Sequence, residues 1–523
     1  MLNYQQQVLQ IQHTVPFSLH RRNGVRLCLL SVSTLLGLTL STRGKAQERG
    51  LPVGIGASHY MDSVFQQMGE RFIADGRSDG LSIAVVRDGK AHFYNMGVTS
   101  RDRSQRPSEH TVYEIGSISK AFTSLLLAHA VSEGRVHLDD DIRTYLPGRY
   151  PSLEFGDTPV HLVDLVDHTS ALPDNLPEPT AELRQMKPYD VAVRVNEILE
   201  RYTVADMLHD LSLSKLARRP GTEPRHSNVS MEVLAVILER VYHDSYPHLL
   251  SRYIEQPYVM ASGVGYARRG LFATGYDEHQ QAMPFFTGKI VVPAGGLRYS
   301  AQDMARFIEG QLKASDAAVR LSHEVEWGKE DQGAFAFDWY EDREIDSQLH
   351  LQSSGGTFAF SSYIEMYPDQ GYGVVLLANR LTYSGNTQGD LQQLAAAARD
   401  AIWGAPAAQT ALESELEQSH FRDVAATVAL VRSAHPELHL TEDYVNAWGY
   451  RVLGAKRFDA AIALFQYNVA RFPGSWNAWD SLAEGYERSG DSQKAIVNYR
   501  HSLAIDSTNT HATDALKRLN AAQ

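Results

Sequence analysis

Apolar residues change their spacing several times along the chain. From Met61 to Ile73 they recur at helical intervals and predict a helix. Leu81-Ser82-Ile83-Ala84-Val85-Val86 and Ala91-His92-Phe93-Tyr94-Asn95-Met96 flank Asp88-Gly89 and predict a β-hairpin. The middle of the chain is rich in helical runs, among them the long apolar run Ala121–Val131, which ends near the stop signal Gly134. Strand patterns return at Phe358–Tyr367 and Gly373–Ala378 around the turn Pro368-Asp369-Gln370-Gly371, and a helix over Leu391–Trp403 follows. Strands at both ends with helices between them predict an α/β (α+β) fold. It has one antiparallel sheet with strands distant in sequence, flanked by helices and carrying a helical lobe.

The last stretch is helical throughout and repeats with a period of 34: Phe458 aligns with Ser492, Ala461 with Ala495, Phe465 with Tyr499 and Ala470 with Ala504. The second copy carries Trp479, Leu482, Tyr486, Gly490 and Ala495, the first Gly449, Ala461, Phe465 and Pro473. Period and residue types together resemble two tetratricopeptide repeats. A helix pair of this kind buries its apolar face only against neighbours. Helices near Ala411–Gln418 and Phe421–Ser433 are expected to extend or cap the array. The expected division is a leader at 1–46, a catalytic domain at 47–404, a helical linker at 405–437 and an all-α repeat region at 438–523. The repeats offer either a concave surface for a protein partner or a structural extension.

The leader rests on the N-terminal pattern. His20-Arg21-Arg22-Asn23-Gly24-Val25-Arg26 is basic, Leu27–Leu40 is apolar, and Gly44-Lys45-Ala46 places small residues for cleavage. Fourteen apolar residues fall short of a comfortable membrane span. The expectation is a secreted or periplasmic protein with no membrane span once the leader is removed. The single cysteine, Cys28, lies inside the leader, so the mature chain is expected to be held by its core alone. Composition is 43% hydrophobic and 21% charged, ordinary for a globular protein. A net charge of −13 without a long basic run argues against a nucleic-acid partner.

Candidate chemistry concentrates at Tyr113-Glu114-Ile115-Gly116-Ser117-Ile118-Ser119-Lys120. Residues three apart share a helix face, so Ser117 and Lys120 come together. A desolvated amine takes the proton that a serine hydroxyl must lose to become a nucleophile. The spacing recurs at Ser212-Leu213-Ser214-Lys215, but Pro220 follows soon after and no long helix can form there. Further candidates for a serine acyl-transfer site lie in Pro220-Gly221-Thr222-Glu223-Pro224-Arg225-His226-Ser227-Asn228 and Ser353-Ser354-Gly355-Gly356-Thr357.

With these motifs the stretch from about Met61 to Trp403 resembles the class C β-lactamase and D,D-peptidase family of serine hydrolases. His168-Thr169-Ser170-Ala171-Leu172-Pro173 and Ala294-Gly295-Gly296-Leu297-Arg298-Tyr299-Ser300 also read like that family and are expected to be structural loops. The resemblance implies Ser117 as nucleophile, Lys120 as activator, and the backbone N–H groups of Ser117 and Gly356 as oxyanion donors. Two motifs depart from the pattern. Where the family has Tyr-x-Asn, this chain has His226-Ser227-Asn228; imidazole can serve as the proton shuttle, and Asn228 is expected to hold Lys120 and a substrate carbonyl. Where the family has Lys-Thr-Gly or His-x-Gly, this chain has Ser353-Ser354-Gly355, which lacks the cation that binds a substrate carboxylate. Arg225 or Arg298 is the alternative source of that charge.

The leading expectation is a secreted serine hydrolase acting on an ester, peptide or amide, a small molecule or peptide, with no cofactor and no metal. A β-lactamase or D,D-carboxypeptidase is one alternative. A catalytically impaired recognition module working through its repeats is the other.

Overall fold

The computed structural model describes residues 55–261, 272–313, 315–329, 333–383 and 385–521. The leader at 1–46 lies outside them. Eight antiparallel strands form the central sheet: β1 (Gly80–Arg87), β2 (Lys90–Gly97), β3 (Trp327–Lys329), β4 (Gly333–Ala336), β5 (Trp339–Arg343), β6 (Leu349–Gly356), β7 (Ser361–Tyr367) and β8 (Tyr372–Ala378), in the order β2-β1-β8-β7-β6-β5-β4-β3. The N-terminal hairpin therefore joins the C-terminal one, with Leu81 opposite Ala378 and Arg87 opposite Tyr372. β1, β7 and β8 are covered on both faces, which is why β1 and β8 read as nearly continuous apolar runs rather than alternating ones, while β7 buries Ser361, Ser362 and Glu365 among its apolar residues.

The two faces hold different cores. On one, α1 (Ile55–Ala74) and α7 (Thr387–Trp403) pack Phe65, Phe72, Leu391 and Leu394 against Leu81, Ile83, Val374 and Leu376. On the other, α6 (Ala301–Leu312) meets the sheet beside a lobe built on α2 (Ser119–Ser132) and α5 (Asn228–Tyr242), with α3 (Pro188–Arg201) and α4 (Val204–Leu213) further out. α2 is buried almost all round, so it runs through this core.

After α7 come α8 (Ala407–Gln418), α9 (Val424–Ala434), α10 (Glu442–Gly454), α11 (Phe458–Arg471), α12 (Trp476–Ser489), α13 (Ser492–Ile505) and α14 (Thr510–Ala521). The starts of α10, α12 and α14 are spaced by 34 residues, as are those of α11 and α13. This array has its own core around Leu453, Phe465, Tyr486 and Tyr499. It is anchored to the sheet domain at the β5–β6 turn: Ile345 inserts into the helical core, His439 N–H donates to the Ile345 carbonyl at 2.9 Å, and Ser347 Oγ–H donates to the Glu437 carbonyl at 2.7 Å. Among the described residues no helix is long and apolar enough to cross a membrane.

Phe465 is fully buried where α10, α11 and α12 meet. A methyl group at Gly449 would come within 2.3 Å of its ring and one at Gly485 within 3.1 Å. Phe465→Ala is expected to destabilise the array by about 3–5 kcal/mol in denaturant unfolding. A loss below about 1 kcal/mol, on the scale of a surface change, would contradict this packing.

Candidate active site

The nucleophile turn is fixed from three sides. The strand Val112–Glu114 pairs with Arg298–Ser300, and Ile115 N–H donates to the Leu297 carbonyl at 3.1 Å. The chain then turns through Gly116–Ile118 into α2. Ser119 Oγ–H donates to the Gly116 carbonyl at 2.6 Å and Oγ accepts from Leu297 N–H at 3.2 Å, while Ser362 Oγ–H donates to the Ile115 carbonyl at 2.7 Å. Gly116 has φ +53°, and a Cβ there would lie 2.4 Å from Gly356 N. A Cβ at Gly355 would lie 2.0 Å from the Ile115 oxygen and 2.8 Å from Ser117 N. Only glycine at both positions lets the two backbones approach this closely.

Ser117 is part-exposed at the mouth of α2, and Lys120 Nζ lies 2.8 Å from its Oγ. Lys120 is 1% exposed, and its Nζ also donates to the Ala294 carbonyl at 2.8 Å. Burial lowers the amine's pKa, while the nearby carboxylates of Asp338, Asp174 and Glu232 oppose that shift. An amine with a lowered pKa in hydrogen-bond contact with a hydroxyl is an arrangement that can take the serine proton.

His226 faces this pair from the start of α5. Its Nδ1 is 2.5 Å from Asp174 Oδ1, and its ring stacks on His168 at 6.4 Å between centroids. His168 Nε2 in turn lies 3.0 Å from Asp338 Oδ1. The loops carrying these groups are joined through backbone: Arg225 N–H donates to the His168 carbonyl at 2.7 Å and Asn228 N–H to the Asp174 carbonyl at 2.9 Å. Burial and the nearby Lys120 lower the His226 pKa, against the raising effect of Asp174. Glu232 lies one turn beyond Asn228, 3% exposed; burial pushes its carboxyl up to about 8, and Oε2 has no hydrogen-bond partner.

Ser117, Lys120, His226, Asn228, Ser353, Ser354 and Gly356 all line one cavity of about 2170 Å³. Gly355 is buried behind it. β5 pairs with β6 only as far as Gln352, so among the described residues no strand covers that side of Ser353–Gly356. Asn228 donates to Asn175 Oδ1 at 2.8 Å, and the protein contacts of Lys120 are Ser117 and Ala294 instead. The expectation that Asn228 holds Lys120 is therefore replaced by the Ala294 carbonyl. Arg298 is turned toward Glu114 at 3.1 Å, away from the cavity, and Arg225 lines the cavity while pairing with Glu223 at 3.0 Å. The expected structural loops at 168–173 and 294–300 do more than shape the chain, since they supply His168 and the Ala294 carbonyl. The 212–215 decoy straddles the end of α4. Among the described residues no three His, Cys, Asp or Glu side chains are grouped to hold a metal ion.

A family model described as Beta-lactamase matches residues 61–399. The chain belongs to the beta-lactamase family. Within it, "Protein flp" of Staphylococcus aureus (strain N315) is 26% identical over 332 residues, 59% of this chain and 61% of that protein. A "Beta-lactamase" of Pseudomonas fluorescens is 25% identical over 348 residues, 58% of this chain and 88% of that one. The Yersinia pestis beta-lactamase/D-alanine carboxypeptidase structure complexed with citrate superposes with TM-score 0.55 at 21% identity, over 65% of this chain and 99% of that chain. The octameric penicillin-binding protein homologue of Pyrococcus abyssi gives 0.53 at 19%, over 68% and 81%. The chain thus spans about three fifths of the curated relative named first, and the beta-lactamase-family match stops before α8.

Sequence reasoning missed Asp174, Asp338 and Glu232. Glu232 carried a signal, because a carboxylate inside the apolar run Val229–Leu238 of α5 has to face something polar or be neutral. The Asp174–His226 pair can be tested directly. In Asp174→Asn the imidazole loses the carboxylate that raises its pKa, so its NMR titration midpoint should fall further below the ordinary value of about 6.5. A midpoint that rises in the variant would contradict the pairing.

Proposed function

We propose that this member of the beta-lactamase family is a secreted or periplasmic serine hydrolase that transfers an acyl group to water in two steps through Ser117, from an ester, peptide or amide. The observation carrying this reading is the 2.8 Å contact between Ser117 Oγ and the buried amine of Lys120. Lys120 accepts the hydroxyl proton as Oγ bonds to the substrate carbonyl carbon. The carbonyl oxygen takes up the electron pair and sits between Ser117 N–H and Gly356 N–H. Their close approach through Gly116 and Gly355 supports that pocket. Collapse of this intermediate expels the leaving group, which takes a proton from the Lys120–His226 pair. Water then attacks the acyl-serine by the same route in reverse. Asp174 holds His226 Nδ1 and leaves Nε2 for proton transfer.

Three observations weigh against a substrate carboxylate of the kind penicillins and D-alanyl peptides present. Ser353 is uncharged, Arg298 is committed to Glu114, and Lys120 is surrounded by Asp174, Asp338 and Glu232. The reading therefore favours neutral or cationic substrates over β-lactams. Secretion rests on the basic and apolar leader pattern, and a tetratricopeptide-like role for the array on its 34-residue period.

A fluorophosphonate probe and a penicillin, each read by intact mass, test the reading. Ser117 is expected to be labelled by the probe and not by the penicillin, and Ser117→Ala by neither. Labelling by both would favour a β-lactamase or D,D-carboxypeptidase, and labelling of the folded protein by neither would favour a recognition module. The pH profile gives an independent check. The base works unprotonated and burial lowers the His226 pKa. The acid limb of kcat/KM should therefore fall below the ordinary imidazole value of about 6.5. His226→Phe should lose most activity, about 100-fold or more; unchanged activity would leave Lys120 as the sole base.

A further inference from the structure

The cavity that contains Ser117 does not end at the hydrolase domain. Tyr340, Asp342 and Gln352 of β5 and β6 carry its wall outward, and α10 and α12 of the helical array form its far side. The array is held in this position by the Ile345 insertion and the two hydrogen bonds at the β5–β6 turn.

Most charged groups on that far wall are already partnered. Asp480 accepts from Asn509 at 2.8 Å and pairs with His511 at 2.7 Å. Glu484 accepts from Tyr450 at 3.0 Å and lies 3.5 Å from Arg488. Two groups on one face of α10 differ. Asn446 is 7% exposed and lines the cavity, yet its Oδ1 has no hydrogen-bond partner. Asp443, one turn before it, is accessible from the cavity. Partial loss of solvent in the cavity, with the carboxyls of Glu442 and Asp342 beside it, raises the pKa of its carboxyl. A buried acceptor left open and a carboxyl crowded by like charges both gain from a bound donor of positive charge.

We propose that the helical array is the distal half of the substrate cleft, and that Asp443 and Asn446 seat a cationic side chain of an extended peptide substrate whose scissile carbonyl lies at Ser117. The proposal rests on the hydrolase reading for the bond that breaks, and on the array alone for binding. It gives the array a role in selecting the substrate, and it agrees with the carboxylate-rich surroundings of Lys120.

The full chain carrying Ser117→Ala is titrated with two fluorescein-labelled octapeptides, one alternating lysine with glycine and the other glutamate with glycine. The lysine peptide is expected to bind at least about tenfold more tightly. Asn446→Leu and Asp443→Asn are each expected to weaken it about fivefold or more, and Asp443→Lys to turn the preference toward the glutamate peptide. Circular dichroism establishes that each variant is folded. In the wild-type chain the lysine peptide should slow fluorophosphonate labelling of Ser117 in proportion to its occupancy. Equal binding of the two peptides, or no change in the Asp443 variants, overturns the proposal. Binding that leaves the labelling rate untouched overturns the single cleft. If the probe never labels Ser117 but the lysine peptide still binds, the hydrolase reading fails and the array site stands.

Discussion

The burial of one amine organises the site. Lys120 sits at the start of a helix with almost no solvent contact, so its charge has lost most of its hydration. The fold answers this in two ways. The Ala294 carbonyl and Ser117 Oγ each take a hydrogen bond from Nζ, and the carboxyl groups of Asp338, Asp174 and Glu232 lie around it. A direct carboxylate contact would fix the ammonium form and end its use as a base. Distributed charge lowers the cost of burial while leaving the amine able to exchange a proton.

The same burial explains why the sheet and the helix must meet without side chains. Lys120 reaches Ser117 because α2 begins directly under the open edge of β6, and that contact is backbone against backbone. Gly116 and Gly355 permit it, and the hydroxyls of Ser119 and Ser362 hold the turn against both partners. Ser117 and Gly356, beside these glycines, both line the cavity.

The parts of this arrangement that are local in the chain were legible. The Ser117–Lys120 spacing and the hairpin about Asp88-Gly89 depend on neighbours a few residues away, and the helix period shows as self-similarity every 34 residues. Part of the sheet could be read because β1 and β8 are mostly apolar. What could not be read is set by loops that meet only in three dimensions. Asp174 is 52 residues from His226, Asp338 is 170 from His168, and Ala294 is 174 from Lys120, with no pattern in the sequence to join them. Asn228 was in place, but its side chain turned to Asn175, since the Ala294 carbonyl had already met the amine.

The departures at His226 and Ser353 become coherent once charge is counted around the cavity. An imidazole brings a second base, and Asp174 beside it keeps its orientation. The Asp174 carboxylate makes the region near Ser117 more negative, and Asp338 adds to this. In such a field a cation at position 353 would be drawn toward the carboxylates, and a substrate carboxylate would be repelled. Loss of the cation and gain of the histidine–aspartate pair are thus two consequences of one electrostatic choice. Further along the wall, Asp342 and Asp443 bring carboxyl groups to the same cavity, alongside arginines such as Arg451 and Arg488.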